Sequence, residues 1–494
     1  TLAFAGVIQS FFKQTSGNRV QGQDHMHAKS KQAKLIILLL TLLIIFTLLI
    51  FILATRVRFP DSIGYLNMGL GLIDGNFSSW YFLEKIYPET LRMPGYPIFI
   101  GFIINIFKSE LSIQITQYLL LLISYILSCK IILNKLPEQF ARTAVIIFLT
   151  ISLFSIQLPY YSGLIAPQSL ASFFMVLYFY VSTLNIKSNL IFGVMAGVIL
   201  CIIFQLLPII LFLPLLILLI AFFCKISSKR HVISLIVFSV GLIPFGLWNY
   251  NNHGVFKVTS IEGGAGVAHM GYWQYKLPKN YTEKYYWGNN TGDDILYPFR
   301  ASDPETAENL KKFVLEWDHI QSNIIKLKTE EDLIWERKMN QKNPGQSLIH
   351  NSEYTLTREK ELWELTIKNI INEPVYYLKR YIYAFFRSYF TGLSELAIKN
   401  ANNPSQIFKV FYPFLVTFIF VFLGLLYISF KSAIIWRQLD GNLKIMLATI
   451  FYFGAIHAPF TTQARYTVPI HLLIFILIAI YLAPLIGPTK KLNN

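Results

Sequence analysis

Long apolar runs alternate with short polar stretches along most of this chain, and the runs have membrane-crossing length. Leu35–Thr55, Ile113–Leu133, Thr143–Tyr160, Ser169–Thr183, Leu190–Leu206, Leu207–Cys224, Val232–Tyr250, Phe408–Phe430, Leu443–Phe460 and Tyr466–Leu485 reach or approach the ~20 residues that carry a helix across ~30 Å of hydrocarbon. The pattern predicts an all-α polytopic membrane protein with about ten transmembrane helices. Pro94–Phe107 has about 14 apolar residues, a length that suits an interfacial or re-entrant helix rather than a span.

One stretch breaks the pattern. Residues 251–405 are polar and charged, and they predict a small, mostly helical extracytoplasmic segment with helices at Pro304–Leu327, Glu330–Met339 and Tyr354–Ile371. Within it, 374–392 mixes aromatic and basic residues and reads as an amphipathic juxtamembrane helix, with Lys379, Arg380 and Arg387 turned toward headgroups; the alternative is a further short span. The expected layout is a cytoplasmic tail (1–33), a transmembrane domain (34–250) with its first outer loop at 57–111, the polar segment (251–405) and C-terminal transmembrane helices (406–494). Met26 followed by a short basic tail looks like a natural start, so residues 1–25 are expected to be non-native or disordered.

Composition sharpens this picture. Hydrophobic residues make up 54% of the 494 positions and charged residues 14%, against about 25% charged in soluble proteins. A net charge of +16 would suit nucleic acid, but no basic stripe lies on a folded nucleic-acid module, and that partner is excluded. The cations sit instead in short loops, as the positive-inside bias requires. If Pro94–Phe107 does not cross, Lys29, Lys31, Lys34, Lys130, Lys135, Arg142, Lys187, Lys225, Lys229, Arg230, Lys431, Arg437, Lys444, Lys490 and Lys491 all fall on the cytosolic side. Arg56 and Arg58 run against the rule. The opposite side then collects Asp61–Arg92, Tyr160–Gln168, Asn251–Gln406 and Pro459–Arg465. Cys129, Cys201 and Cys224 lie in or at the ends of spans and are expected to be free thiols packed as small hydrophobes.

Asp61 follows the first span, and Arg92-Met93-Pro94-Gly95-Tyr96-Pro97 follows on the same side. Each residue has an ordinary explanation. Asp61 could cap a helix, and Arg92 and Arg465 could be interfacial anchors that snorkel. The single histidines His253, His269 and His457 show no metal-ligand spacing and read as structural.

The order of short motifs adds weight. An Asp after the first span, a Tyr four residues on (Tyr65) and Arg92-x-Pro94-x-Tyr96-Pro97 come first. Trp248-Asn249-Tyr250-Asn251-Asn252-His253-Gly254 ends a span, and Gln463-Ala464-Arg465-Tyr466-Thr467-Val468-Pro469 precedes the last one. This series resembles the GT-C superfamily of lipid-phosphosugar-dependent glycosyltransferases, in particular the protein O-mannosyltransferases and the aminoarabinose transferase of lipid A. The resemblance implies a catalytic transmembrane domain with Asp61 as base and inversion by single displacement. Arg92 and Arg465 would bind the donor phosphate, and Tyr65, Tyr96, Gln168, Asn249 and Asn251 are candidate sugar or acceptor contacts.

The implied partners are the lipid bilayer, a polyprenyl-phosphate sugar and an extracytoplasmic glycan, lipid or protein acceptor. The implied location is a bacterial inner membrane with the site on its outer face. No cofactor and no metal are expected. Ser62 stands where the mannosyltransferases carry a Glu, and Gln168 where members often carry a second acid. The alternatives are a transporter or flippase of a lipid-linked or anionic substrate, and an O-antigen-type polymerase or ligase. The first predicts mid-membrane charges and matched broken helices.

Overall fold

The computed structural model describes residues 23–57, 61–83, 86–262, 264–277, 304–342, 351–390 and 411–486. These residues form helices and their connections, with no strand among them. In chain order they are α1 (Gln23–Ala54), α2 (Ser62–Ile73), α3 (Gly95–Phe107), α4 (Glu110–Lys135), α5 (Glu138–Phe154) and α6 (Gln157–Gly163). Then come α7 (Gln168–Thr183), α8 (Asn189–Leu206), α9 (Leu213–Phe223), α10 (Ser228–His253), α11 (Gly264–Trp273) and α12 (Pro304–Ile324). The last are α13 (Glu330–Lys342), α14 (Ser352–Asn372), α15 (Pro374–Arg387), α16 (Phe411–Ile435, with a π-helical stretch at Thr417–Leu423), α17 (Gly441–His457) and α18 (His471–Ile486). Residues 1–22 of the expected tail, Arg58, residues 391–392 of the expected juxtamembrane helix, Lys490 and Lys491 lie outside the described residues.

Six helices among the described residues are long and apolar enough to cross a membrane: Ser30–Ala54, Glu110–Lys135, Asn189–Leu206, Ser228–His253, Phe411–Ile435 and Val468–Ile486. The pair α5 and α6 makes a seventh if its 58° bend is counted within one broken span. This is fewer than the ten apolar runs suggested. The helices α7, with 16 residues, and α17, with 17, are short of the required length. The run 207–224 divides at its prolines into a 3-10 turn (Pro208–Phe212) and the 11-residue α9. Proline lacks the N–H that would continue the helix ladder. The three cysteines are free, and Cys129 is buried.

The last span forms the centre of the bundle. Of its apolar window 78% is buried, against 22% for the first span, which lines the edge. It packs on α5, α4 and α16, while α8 runs along α10 and α7.

The helix ends sort into two opposite groups. At one end Lys135 pairs with Asp440 at 2.9 Å, Asn134 reaches Thr183 at 3.1 Å and Asn442 donates to the Ser182 carbonyl at 2.8 Å. The starts of α2, α3, α7 and α18 and the end of α10 gather at the other.

There α2 and α3 pack tightly side by side, running in the same direction, with Tyr65 beside Tyr96 near their starts and Gly69 against Gly101 further along. A Cβ on Gly101 would lie 2.7 Å from the Gly69 carbonyl oxygen, so the two backbones touch where only glycine fits. With 13 residues, α3 is roughly 20 Å long at 1.5 Å per residue, too short to span. Gly101→Leu is expected to cost about 1–3 kcal/mol by forcing the pair apart. Thermal unfolding of the detergent-solubilised protein measures that loss, and an unchanged midpoint would contradict the close contact.

The polar segment folds over this end as α11, α12, α13 and α14, the last three close to the predicted boundaries and the first not foreseen. Three ties hold the first outer loop beneath it. Thr90 donates to Glu262 at 2.9 Å, and Arg358 pairs with the other oxygen of Glu262 at 2.8 Å. His253 bridges Ser352 (2.8 Å) and the Glu89 carbonyl (3.2 Å). Tyr87 donates to Asp332, which also accepts from the Thr329 amide and Asn351. Burial alone would raise the Asp332 carboxyl, but these hydrogen bonds outweigh it and hold it at about 2. His269 sits in a similar buried set, 2.8 Å from Glu316, which also accepts from Trp273 at 3.0 Å.

One orientation differs from the sequence reading. Arg380 and Arg387 of α15 point inward and are only 3% and 4% exposed, whereas Val375, Leu378 and Ile382 face outward at 66%, 60% and 52%. The reason lies in α17. Where it ends, the C-cap and the chain just beyond it present carbonyls with no helical donors, and Arg380 donates to two of them, those of Ala458 and Phe460. Arg387 likewise donates to the Phe390 carbonyl, and of the three cations only Lys379 remains exposed. Arg380→Ala is expected to cost about 2–4 kcal/mol, because it strands two buried carbonyls. A melting curve in detergent reads the loss, and Arg380→Lys should recover part of it.

Candidate functional site

Three chain regions deliver one charged cluster to the end where α2 and α3 begin. Asp61 immediately precedes α2, Arg92 lies just before α3, and Arg465 sits in the 3-10 turn Ala464–Tyr466 ahead of the last span. Asp61 stands at the N-cap position of α2, yet its side chain makes no capping hydrogen bond. Its oxygens are taken otherwise. Arg92 Nη2 donates to Oδ1 at 2.8 Å and Arg465 Nη1 to Oδ2 at 3.3 Å. The plain capping role is therefore not the one Asp61 adopts.

The cluster is neither sealed nor free in water. Side-chain exposure is 31% for Asp61, 20% for Arg92 and 24% for Arg465. Burial by itself raises the Asp61 carboxyl, but the nearby charges and hydrogen bonds of Arg92 and then Arg465 outweigh it, and the net position is below the ordinary aspartate value. Two guanidiniums converge on the Asp61 carboxylate while Glu89 acts on Arg92 from the side of its backbone, and a paired fork of donors of this kind suits a phosphate as well as a carboxylate.

Each charge is positioned by its own support. The Arg92 guanidinium stacks 4.4 Å from the Tyr65 ring, one helical turn beyond Asp61. Glu89 fixes the backbone below it, accepting from the Leu91 and Arg92 amides at 3.1 and 3.2 Å and from the Ser79 hydroxyl. Arg465 rides on a stretch pinned at both ends. Before it, Thr461 donates to the Val267 carbonyl at 3.0 Å and the Thr462 amide to Gln274 at 2.9 Å. After it, Thr467 donates to the Ser388 carbonyl at 2.7 Å, and Tyr466 stacks on His457 at 4.9 Å.

The floor is the connection between α6 and α7. Ser62 donates to the Ile165 carbonyl at 3.0 Å, and Gln117 donates to the Ser162 and Leu164 carbonyls at 3.1 and 2.7 Å. Tyr96 is buried one layer down, edge-on to Tyr65 at 4.9 Å, with its hydroxyl donating to Gln117 at 2.8 Å.

Of the residues singled out in the sequence, Asp61, Arg92, Arg465 and Tyr65 come together directly, and Tyr96 backs them. Gln168 opens α7 just past the floor, 7% exposed, and its side-chain oxygen has no hydrogen-bond partner among the described residues. Asn249 does something else. It is wholly buried and donates to the Lys257 and Thr259 carbonyls, the latter at 2.9 Å, which folds the chain back after α10. Asn251 is exposed in the last turn of α10.

The 248–254 motif is thus mainly a fastening. Trp248 packs on Phe77 at 5.2 Å, His253 ties Glu89 to α14, and Gly254 closes α10 with φ of +72°, a conformation glycine adopts without strain. Comparison with known protein families, curated proteins and solved structures finds no match.

Sequence reasoning gives Glu89 only the part of an ordinary loop acid and assigns no role to Gln117 or Glu262. Glu89 had a faint local signal, an acid three residues before Arg92. Gln117 and Glu262 had none, because their partners are supplied by distant helices. Among the described residues no three side chains of His, Cys, Asp or Glu converge.

Proposed function

We propose that this protein is an integral membrane glycosyltransferase that moves a sugar from a polyprenyl-phosphate donor to an acceptor outside the cytosol. The observation that carries the reading is the convergence of Asp61 with Arg92 and Arg465, residues 31 and 404 positions away, in one partly open cluster at the membrane end of the bundle.

The reaction needs two things of a protein. Polyprenyl phosphate is a good leaving group and needs no strong acid, but the acceptor hydroxyl needs a base and the departing phosphate needs fixed positive charge. Asp61 takes the hydroxyl proton as the acceptor oxygen bonds to the anomeric carbon. The bond from that carbon to the phosphate oxygen breaks, and its electron pair leaves with the phosphate. Arg92 and Arg465 hold the charge so formed. One displacement gives inversion.

The end that carries Lys135, Asp440 and Asn442 takes the cytosolic side by the positive-inside bias, which puts Asp61 at the opposite face; a bacterial inner membrane is what the motif resemblance implies. The polar segment fastened over the first outer loop is suitably placed to select the acceptor.

The test uses membranes from cells expressing the protein, incubated with a panel of undecaprenyl-phosphate-linked radiolabelled sugars. The expected result is release of undecaprenyl phosphate with label passing to an envelope acceptor, absent from membranes carrying Asp61→Asn. Identical release from both would overturn the proposal.

A further inference from the structure

We infer that Asp61 is the internal occupant of the phosphate seat: in the free protein it neutralises Arg92 and Arg465, and an arriving lipid phosphate takes both guanidiniums and sets the carboxylate free to act as base. This rests on the glycosyltransferase reading and adds a gate to it.

Geometry is the starting point. The carboxylate bridges the two arginines, one oxygen to each, at 2.8 and 3.3 Å. The phosphodiester of a polyprenyl-phosphate sugar presents a similar pair of non-bridging oxygens to the same donors, and the lipid phosphate left when the sugar departs is a monoester that carries more charge. The two arginines come from separate chain regions with separate supports, so they stay in place when the anion between them changes. Glu89 and the Tyr65 ring hold Arg92, and the pinned 461–467 stretch holds Arg465. Asp61, by contrast, makes no capping bond that would have to break when it turns away.

The exchange also resolves a conflict. A carboxylate held by two guanidiniums is a weak proton acceptor, and Asp61 lies below the ordinary aspartate value for that reason, although burial opposes it. The groups acting on the cluster are Tyr65 from α2, Glu89 beside Arg92, Tyr161 from α6 and Tyr466 beside Arg465. Of these only Glu89 is a second carboxylate, and its oxygens accept from Ser79 and from the Leu91 and Arg92 amides. Loss of the two guanidiniums to phosphate therefore raises the basicity of Asp61 only when a donor is bound. Proton abstraction is thereby coupled to donor occupancy.

The inference predicts an unusual sign. Removing the charge of the base should tighten binding of the lipid phosphate that the donor and the released carrier share, because the competing internal anion is gone. Purified protein and Asp61→Asn in detergent are titrated with undecaprenyl phosphate, with neutral undecaprenol and with inorganic phosphate. The expected result is about tenfold tighter undecaprenyl phosphate binding by Asp61→Asn, since a competing occupant reduces apparent affinity by the fraction of sites left free. Undecaprenol should bind both proteins alike. Equal or weaker undecaprenyl phosphate binding by a variant with an unchanged melting curve overturns the exchange while leaving the phosphate site standing. A gain for inorganic phosphate without one for the lipid assigns the seat to free phosphate and overturns the lipid proposal. Failure of both proteins to bind undecaprenyl phosphate overturns this inference and the glycosyltransferase reading together.

A second measurement needs no variant. Carbodiimide labelling of Asp61 in the unaltered protein, mapped by mass spectrometry, should rise several-fold with undecaprenyl phosphate and not with undecaprenol. Unchanged labelling at saturating lipid phosphate would show the carboxylate still bridged and overturn the exchange.

Discussion

Asp61→Asn is expected to lower sugar transfer by about 10³-fold while the protein keeps its fold. General-base catalysis contributes about 10²–10⁴-fold, and the amide keeps the shape of the side chain while losing both charge and basicity. The folded state should tolerate the change, because Arg92 and Arg465 keep about a fifth to a quarter of their side chains in contact with solvent and can be hydrated. Initial transfer rates, read beside a melting curve, decide the matter, and full turnover by the variant would remove Asp61 from the chemistry.

The pH dependence carries a definite sign. The Asp61 carboxyl is depressed in the folded protein, so its ion pairs stabilise the fold above the ordinary aspartate value of about 3.9 and lose that effect as pH falls through the folded value. The free enzyme should therefore show no acid limb in kcat/KM above about pH 4 from this group.

Arg465→Ala is expected to reduce kcat/KM for the lipid donor by about 10²-fold or more, since truncating a charge-assisted partner of a phosphate costs about 2–5 kcal/mol. Arg465→Lys should retain only part of the activity, because an ammonium keeps the charge but not the rigid fork of donors. The loss should appear in donor rather than acceptor dependence, which varying each substrate in turn separates. Arg92→Ala should act in the same direction and also expose the Tyr65 face that the guanidinium covers at 4.4 Å. A variant lacking Arg465 with unchanged donor kinetics would rule out the phosphate role of that residue.

The legibility of the site in the sequence varied with the range of the interaction. Asp61 and Tyr65 lie one helical turn apart, and Arg92 follows on the same outer loop, so their neighbourhood could be read locally. Arg465 could be tied to them only through a resemblance of motif order. Asn249 shows the hazard of that route: its motif is present, but its amide fastens the chain to Lys257 and Thr259. Arg380 and Arg387 were expected among headgroups because amphipathicity shows which residues share a face and not which face is covered. The orphan carbonyls at the end of α17 reversed the helix.

Hydrophobic run length by itself determined that the chain is helical, apolar and suited to a bilayer, because a helix must satisfy its own backbone wherever water is absent. The same property located the polar segment and its helices, whose periodicity is local. Only the tertiary structure decided which runs stay unbroken at crossing length, since bends at 155–156 and around Pro208 are matters of packing and backbone donors. It alone decided that a guanidinium near the start and another near the end share the two oxygens of the Asp61 carboxylate. Contacts across 404 residues depend on how every intervening helix packs, and no local pattern encodes that distance.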